Sequence, residues 1–282
     1  MGDRMSSAMM SGALERRRRT GGGGGGTVSS AGLVIPDRIT RFRGRAITPR
    51  LLLAAGLVLP AGGRARPAAA PPPFTVGETL EYDARIGLVP AGSATTSVVR
   101  MAAVRGQPVY VFSMHGAGGP PGLRSSYAMT SWTGVEPFVS RRFDRSVTLA
   151  GRTEQHEYEI VPDSLRYRET GAGAEPRDWV APATPLDELA FLYYLRTLPL
   201  APGDARVLRG YFRNGYNPVT VTVTGRDNVT LGNGRAVACL ALRITAAGTV
   251  SRVWLTDDPR RLPAQLELPL TIGRVRLVLR GS

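Results

Sequence analysis

Residues 186–195 constrain the fold of this chain more than any other stretch. Leu189-Ala190-Phe191-Leu192-Tyr193-Tyr194-Leu195 is apolar all the way round a helix. Thr184 reads as its N-cap, Pro185 as the first helical position, and Asp187 as the acid three residues after the cap. Arg196 stands near the far end and Pro199 closes the segment. Together they predict a helix over about 185–197. A helix apolar on every side has to be covered on every side. For a single such helix in a domain surrounded by water, the natural cover is the concave face of a bent sheet.

The flanking sequence supplies strands. Over residues 79–88, Leu80, Tyr82, Ala84, Ile86 and Leu88 alternate with Thr79, Glu81, Asp83 and Arg85, the pattern of a strand with one buried and one wet face. Val89-Pro90-Ala91-Gly92 reads as a turn into a second run ending near Val104, and Arg105-Gly106-Gln107-Pro108 as a turn into 109–114. In the other half Val219, Val221 and Val223 alternate with threonines. Gly232-Asn233-Gly234 reads as a hairpin turn before 236–245, and runs at 250–256, 264–270 and 274–280 follow. Short turns between consecutive runs imply antiparallel pairing. Ten or so strands are expected. The predicted fold class is mainly β: a large curved antiparallel sheet or half-barrel wrapped round one central helix, as a single domain over 71–282.

The front of the chain reads as an address. Residues 1–37 hold an arginine run at 16–19 and six consecutive glycines at 21–26, and cannot bury enough apolar surface to order themselves. Residues 38–70 have the grammar of a secretory signal peptide. Arg38, Arg41, Arg43, Arg45 and Arg50 precede a nine-residue apolar core at 51–59, too short to span a bilayer as a helix. Ala61 and Gly63, or Ala68 and Ala70, suit the cleavage site, and no cysteine stands near it to carry a lipid anchor. Such a signal belongs at a chain's start, so translation is expected to begin nearer Val34.

Charge excludes one function class. The formal net charge is +14, and every one of the 36 basic residues is arginine. Residues 1–73 hold twelve arginines against three acids; 74–282 hold twenty-four against nineteen. Most of the excess therefore lies outside the folded part. The remainder is scattered along strands, without the basic stripe and interleaved aromatics of a nucleic-acid interface. The lone Cys239, beside Leu240 inside an alternating run, reads as a small core residue.

Three segments carry a resemblance. Phe74-Thr75-Val76-Gly77-Glu78-Thr79-Leu80-Glu81-Tyr82, with the Ala91-Gly92 pair after it, resembles the opening of the bacterial family known as domain of unknown function 3108. Asp187-Glu188-Leu189-Ala190-Phe191-Leu192-Tyr193-Tyr194-Leu195-Arg196, then Pro199-Leu200 and Gly203, is similar to its central signature. Trp254-Leu255-Thr256-Asp257-Asp258-Pro259-Arg260-Arg261-Leu262-Pro263 and Gly273 resemble its closing motif. The likeness spans about 74–280. It implies a secreted or periplasmic β-rich protein and assigns no activity.

Candidate sites are few. Phe191, Tyr193, Tyr194, Phe212 and Trp254 are the aromatics that would wall a cavity between helix and sheet, with core packing as the simpler account. Asp257, Asp258 and Arg260 are polar candidates, although Asp-Asp-Pro followed by arginines is ordinary turn chemistry. His156 with Glu154 would need further ligands to hold a metal. His115 precedes a glycine-rich stretch expected to be a mobile loop, which lacks the Gly-Lys-Ser/Thr of a phosphate loop. Neither a cofactor nor a metal is expected. The reading is of an exported, non-enzymatic binding or carrier domain for a lipid or other apolar envelope ligand. A structural or interaction protein with an envelope partner is the alternative, and a hydrolase the third. Expected partners exclude nucleic acid and include a membrane only through the cleaved signal peptide. The expected location is the periplasm or the exterior, without lipid anchoring.

Overall fold

The computed structural model describes residues 71–119, 124–149, 151–171, 176–270 and 273–281. The expected extension, signal peptide and cleavage sites therefore lie outside the described residues. The first half is an eight-strand meander: β1 (Thr79–Ile86), β2 (Val89–Val104), β3 (Gln107–Gly118), β4 (Ser125–Gly134), β5 (Ser140–Leu149), β6 (Arg152–Val161), β7 (Arg166–Gly171) and β8 (Arg177–Val180). Helix α1 (Glu188–Thr197) follows. The second meander comprises β9 (Ala205–Leu208), β10 (Val219–Thr230), β11 (Ala236–Ala246), β12 (Thr249–Thr256), β13 (Pro263–Leu270) and β14 (Gly273–Leu279).

The two meanders form one open antiparallel sheet, joined where β1 pairs with β14, with Tyr82 opposite Leu279. Its order is β8-β7-β6-β5-β4-β3-β2-β1-β14-β13-β12-β11-β10-β9, so β8 and β9 are its edges and α1 is the link between them. The period-two pattern explains the pairing. Leu80, Tyr82 and Ala84 of β1, Leu277 and Leu279 of β14 and Leu266 and Leu268 of β13 all point into the core. The expected ten or so strands become fourteen: β4 and β5 bury Ser131, Thr133, Ser140, Arg141 and Arg145, which hides their alternation, and edge strand β8 is exposed throughout.

Irregularities bend the sheet. Bulges interrupt the pairing at Ala84/Arg85, Val98/Arg100, Trp132/Thr133, Val223/Gly225 and Trp254/Leu255, and each adds local twist. The bulge after buried Val98 shifts the phase of β2 and leaves Val99 and Met101 exposed.

Three expectations are corrected. Residues 89–92 are not a turn: the turn is Gly87-Leu88, and β2 already runs through them. Leu88 therefore stands 92% exposed at a hairpin apex instead of facing the core. Gly92 is needed for close approach, since a Cβ there would lie 2.1 Å from the Ala117 carbonyl oxygen. Likewise His115 through Gly118 belong to β3 and not to a loop. Helix α1 also begins later than its sequence signals. Its N-cap is Asp187, not Thr184. The backbone before it is spent elsewhere: Ser140 N–H donates to Pro185 O (2.7 Å), Leu186 N–H to Gly210 O (2.6 Å), and Phe212 N–H to Leu186 O (3.0 Å).

Glu188 through Tyr193, with Leu195 and Arg196, are all buried; Tyr194 is half-buried and Thr197 exposed. Among the described residues no helix is long and apolar enough to cross a membrane.

Candidate functional site

Helix α1 is fastened at both ends by ionisable groups buried in the core. At its start, Asp187 Oδ1 accepts from the Leu189 and Ala190 N–H groups, each at 2.9 Å. Its Oδ2 accepts from the hydroxyls of Ser131 on β4 (2.6 Å) and Ser140 on β5 (2.7 Å). Ser140 Oγ in turn accepts from Asp187 N–H at 2.8 Å, and Thr133 Oγ1 lies 2.8 Å from Ser131 Oγ. All four side chains are fully buried. Burial pushes the Asp187 carboxyl up to about 7, against the hydrogen bonds that favour its charged form. At the far end Arg196 is held by Glu78 at 2.6 and 2.9 Å and by the carbonyls of Pro73 and Arg260.

A second polar series runs from the helix across the inner face of β5 to β7. Glu188 accepts from the Tyr211 hydroxyl at 2.8 Å, and its other oxygen is buried without a partner. Strand register places Arg145 opposite His156, and Phe143 opposite Tyr158 and then Glu169. Tyr158 donates to Glu169 at 3.0 Å, His156 Nδ1 bonds the same oxygen at 2.7 Å, and the Arg213 guanidinium donates to the Tyr158 oxygen while lying 4.9 Å over its ring. The bond from His156, then that from Tyr158, holds the Glu169 carboxyl below the usual range despite partial burial. Arg145 is 8% exposed and its Nε has no partner. The set offers fixed donors and acceptors to a polar group.

The aromatic candidates are placed in different surroundings. Tyr193 stacks on Phe112 of β3 with ring centroids 3.9 Å apart, and Phe74 meets it edge-on at 5.1 Å. Phe212 is fully buried among Phe143, Tyr158 and Tyr167. Tyr194 is half-buried, 6.1 Å from Phe138. Phe191 lines a small cavity with Tyr211, Val219, Ile244, Ala246, Thr249 and Ser251, which holds about 20 Å³, the room of one water. Trp254 is buried in the core cluster with Val253 and Leu255, and its indole N–H bonds Asp227 at 3.1 Å.

The polar candidates form a turn. Asp258 Oδ1 accepts from the N–H groups of Arg260 (2.8 Å) and Arg261 (3.2 Å), and Asp257 pairs with Arg226 at 2.8 Å and with Arg261 at 3.5 Å. Neither acid bonds His156 or Glu154, and seven strands separate β6 from β12 in the sheet order. Among the described residues no three potential metal ligands come together. Sequence reasoning missed Ser131, Ser140, Arg145, Glu169, Glu188 and Arg213. The one available signal was the pair of acids, Asp187 and Glu188, opening a segment otherwise wholly apolar.

Comparison with known proteins gives a family and a distant shape. The family model described as protein of unknown function (DUF3108) matches residues 81–280. No curated protein matches the chain. Among solved structures, the crystal structure of a beta-barrel-like protein of domain of unknown function DUF1849 from Brucella abortus is similar at a TM-score of 0.46 and 10% identity. The likeness covers 71% of this chain and 94% of that one.

Proposed function

The chain belongs to the DUF3108 family of proteins of unknown function, and from that premise we propose that it is an exported, non-enzymatic protein of the cell envelope that acts as an interaction module through its outer surface. One observation carries this reading. The helix is tied down at both ends, its aromatic face is stacked against β3, and the cavity beside Phe191 holds about 20 Å³. A site for a drug-sized or lipid-sized ligand needs roughly 300 Å³ or more. The cavity beside Phe191 is too small for such a ligand, which supports recognition at the surface.

The finer architecture belongs to the same proposal: the sheet curls round α1. Tyr193 rests on β3, while Phe191, two residues away, meets β10, β11 and β12. Five strands separate β3 from β11 in the sheet order. In a flat sheet with strands spaced about 4.8 Å, that is a gap of about 29 Å. Only strong curvature lets one helical turn reach both. Export rests on the signal-like pattern at 38–70, with release into the periplasm or beyond and no lipid anchor.

A carrier for an apolar or amphipathic envelope ligand is the second reading. Its support is the buried Nε of Arg145 and the buried oxygen of Glu188, both without partners on the inner face. Native mass spectrometry of the chain recovered from the periplasmic fraction separates the two. The first reading expects a chain beginning after Gly63 or Ala70 with no bound mass. A stoichiometric lipid-sized adduct would favour the carrier, and full-length chain confined to the cytoplasm would end both.

A further inference from the structure

The antiparallel order sends alternate connections to opposite ends of the sheet, and the two ends differ in charge. One end carries the β1–β2 turn, the β3–β4, β5–β6 and β7–β8 connections, the segment between β9 and β10, and the β11–β12 and β13–β14 connections. Arg85, Arg124, Arg152, Arg177, Arg209 and Arg274 all stand there, every one exposed. None of the six is in an ion pair with a described carboxylate; Arg274 donates to a backbone carbonyl, that of Val250. Among the described residues the acids at this end are Glu154, Glu169 and Asp178. Glu169 is already bonded to His156 and Asp178 to Arg168.

The opposite end is balanced. There Arg280 pairs with Glu81 and Asp83, Arg261 with Asp257, and Arg196 with Glu78. Exposed Glu136 and Asp163 add further negative charge. The asymmetry is therefore local and not a consequence of an arginine-rich composition.

The cationic end also presents bare apolar tips. Leu88 is 92% exposed at the apex of the β1–β2 hairpin and Val89 67%, while Val207, at the end of edge strand β9, is 61% exposed. A two-residue hairpin turn normally carries polar or glycine residues. Leucine at that apex gains nothing from water, and it has a use where the turn enters an apolar phase. Apolar tips flanked by arginines match the interface of an anionic bilayer, where acyl chains lie beneath a layer of negative headgroups.

We propose that this end of the sheet docks on an anionic phospholipid membrane, with the Leu88-Val89 tip inserted among the headgroups and Arg85, Arg124, Arg152 and Arg274 lying against the phosphates. The proposal rests on the reading of the chain as a surface-acting envelope protein and names its partner. Membrane and protein partners make different demands on Leu88: a bilayer needs it apolar and needs no complementary shape.

Flotation with vesicles tests it, using the chain purified from cells. Binding is expected to phosphatidylglycerol vesicles at 0.1 M salt and not to pure phosphatidylcholine. The double variant Arg85→Glu/Arg124→Glu should weaken binding at least tenfold. Leu88→Asp, a surface change that leaves the thermal unfolding midpoint in place, should weaken it by a similar factor. Arg235→Glu at the balanced end should change it less than twofold. No binding by the parent chain, equal binding to both vesicle types, or binding indifferent to Leu88→Asp would each overturn the proposal; the last would point to a generic polyanion contact. Failure here alongside a processed chain in the periplasm would sink the membrane contact alone and leave the envelope reading in place.

Discussion

Arg196 and Glu78 meet across 118 residues of sequence, through two charge-assisted hydrogen bonds of 2.6 and 2.9 Å, with the arginine side chain wholly buried. The same guanidinium reaches the Pro73 and Arg260 carbonyls and lies 5.5 Å from the Phe74 ring centre and 5.3 Å from that of Tyr193. One side chain thus joins the approach to β1, the β12–β13 turn and the last turn of the helix.

Removing its partner should be costly. Glu78→Ala leaves a buried cation with only carbonyl acceptors, a situation worth about 3–5 kcal/mol of destabilisation. Urea unfolding should report that loss, with Glu78→Gln intermediate because its single amide oxygen keeps one of the two bonds, without the charge. A loss under about 1 kcal/mol would mean that the carbonyls and rings alone hold the arginine.

Adjacent tyrosines on the helix should respond differently. Tyr193 is 1% exposed and stacked on Phe112, so Tyr193→Ala is expected to cost about 3–5 kcal/mol. Tyr194 is half-buried beside Phe138, and Tyr194→Ala should cost about half as much or less. Equal losses at the two positions would contradict the orientation of the helix in the core.

What the sequence made legible follows from where its information is local. Alternation over β1, β11, β13 and β14 is a two-residue pattern, and those strands were readable to within a residue or two, while β10 was readable at its start and runs on to Thr230. The helix was readable because its apolar run is opened by Thr-Pro and an acid and closed by Arg196 and Pro199, the start and stop signals of a helix. Its start was misplaced because the bonds that hold Pro185 and Leu186 extended come from Ser140 and Gly210, distant in sequence. β4 and β5 escaped because their inward positions include Ser131, Thr133, Ser140 and Arg145, which look like surface residues until Asp187 and the helix arrive. The site was hidden for the same reason: Ser131, Ser140 and Asp187 come from three separate segments. Trp254 packs in the core, the simpler of the two accounts that its sequence allowed.

Cys239 offers a test of core packing without mutation. The thiol is fully buried, and burial, followed by the nearby Asp227, Asp258 and Asp257, pushes it up to about 11. Almost no thiolate exists at pH 8, so a thiol reagent such as dithiobis-nitrobenzoate should label the folded chain slowly and the urea-unfolded chain at once. Rapid labelling of the folded chain would show that β11 opens readily.

The carboxyl of Asp187 should give the protein an unusual pH response. Its value when unfolded is about 3.9 and in the fold about 7, because burial outweighs the four hydrogen bonds it accepts. Between those values the folded state binds a proton that the unfolded state has released, so stability falls as pH rises through this window. The contribution is fully present below about pH 4 and lost above about pH 7. Glu169 acts in the opposite sense, since its lowered value makes its contribution disappear as acid is added. Asp187→Asn removes the first effect and leaves the second. The difference in unfolding free energy between parent and Asp187→Asn should therefore shrink steadily from pH 4.5 to pH 7.5, measured by urea unfolding at each pH. A constant difference would mean that the carboxylate stays charged throughout, held by the Leu189 and Ala190 N–H groups and the two serines more strongly than burial opposes it.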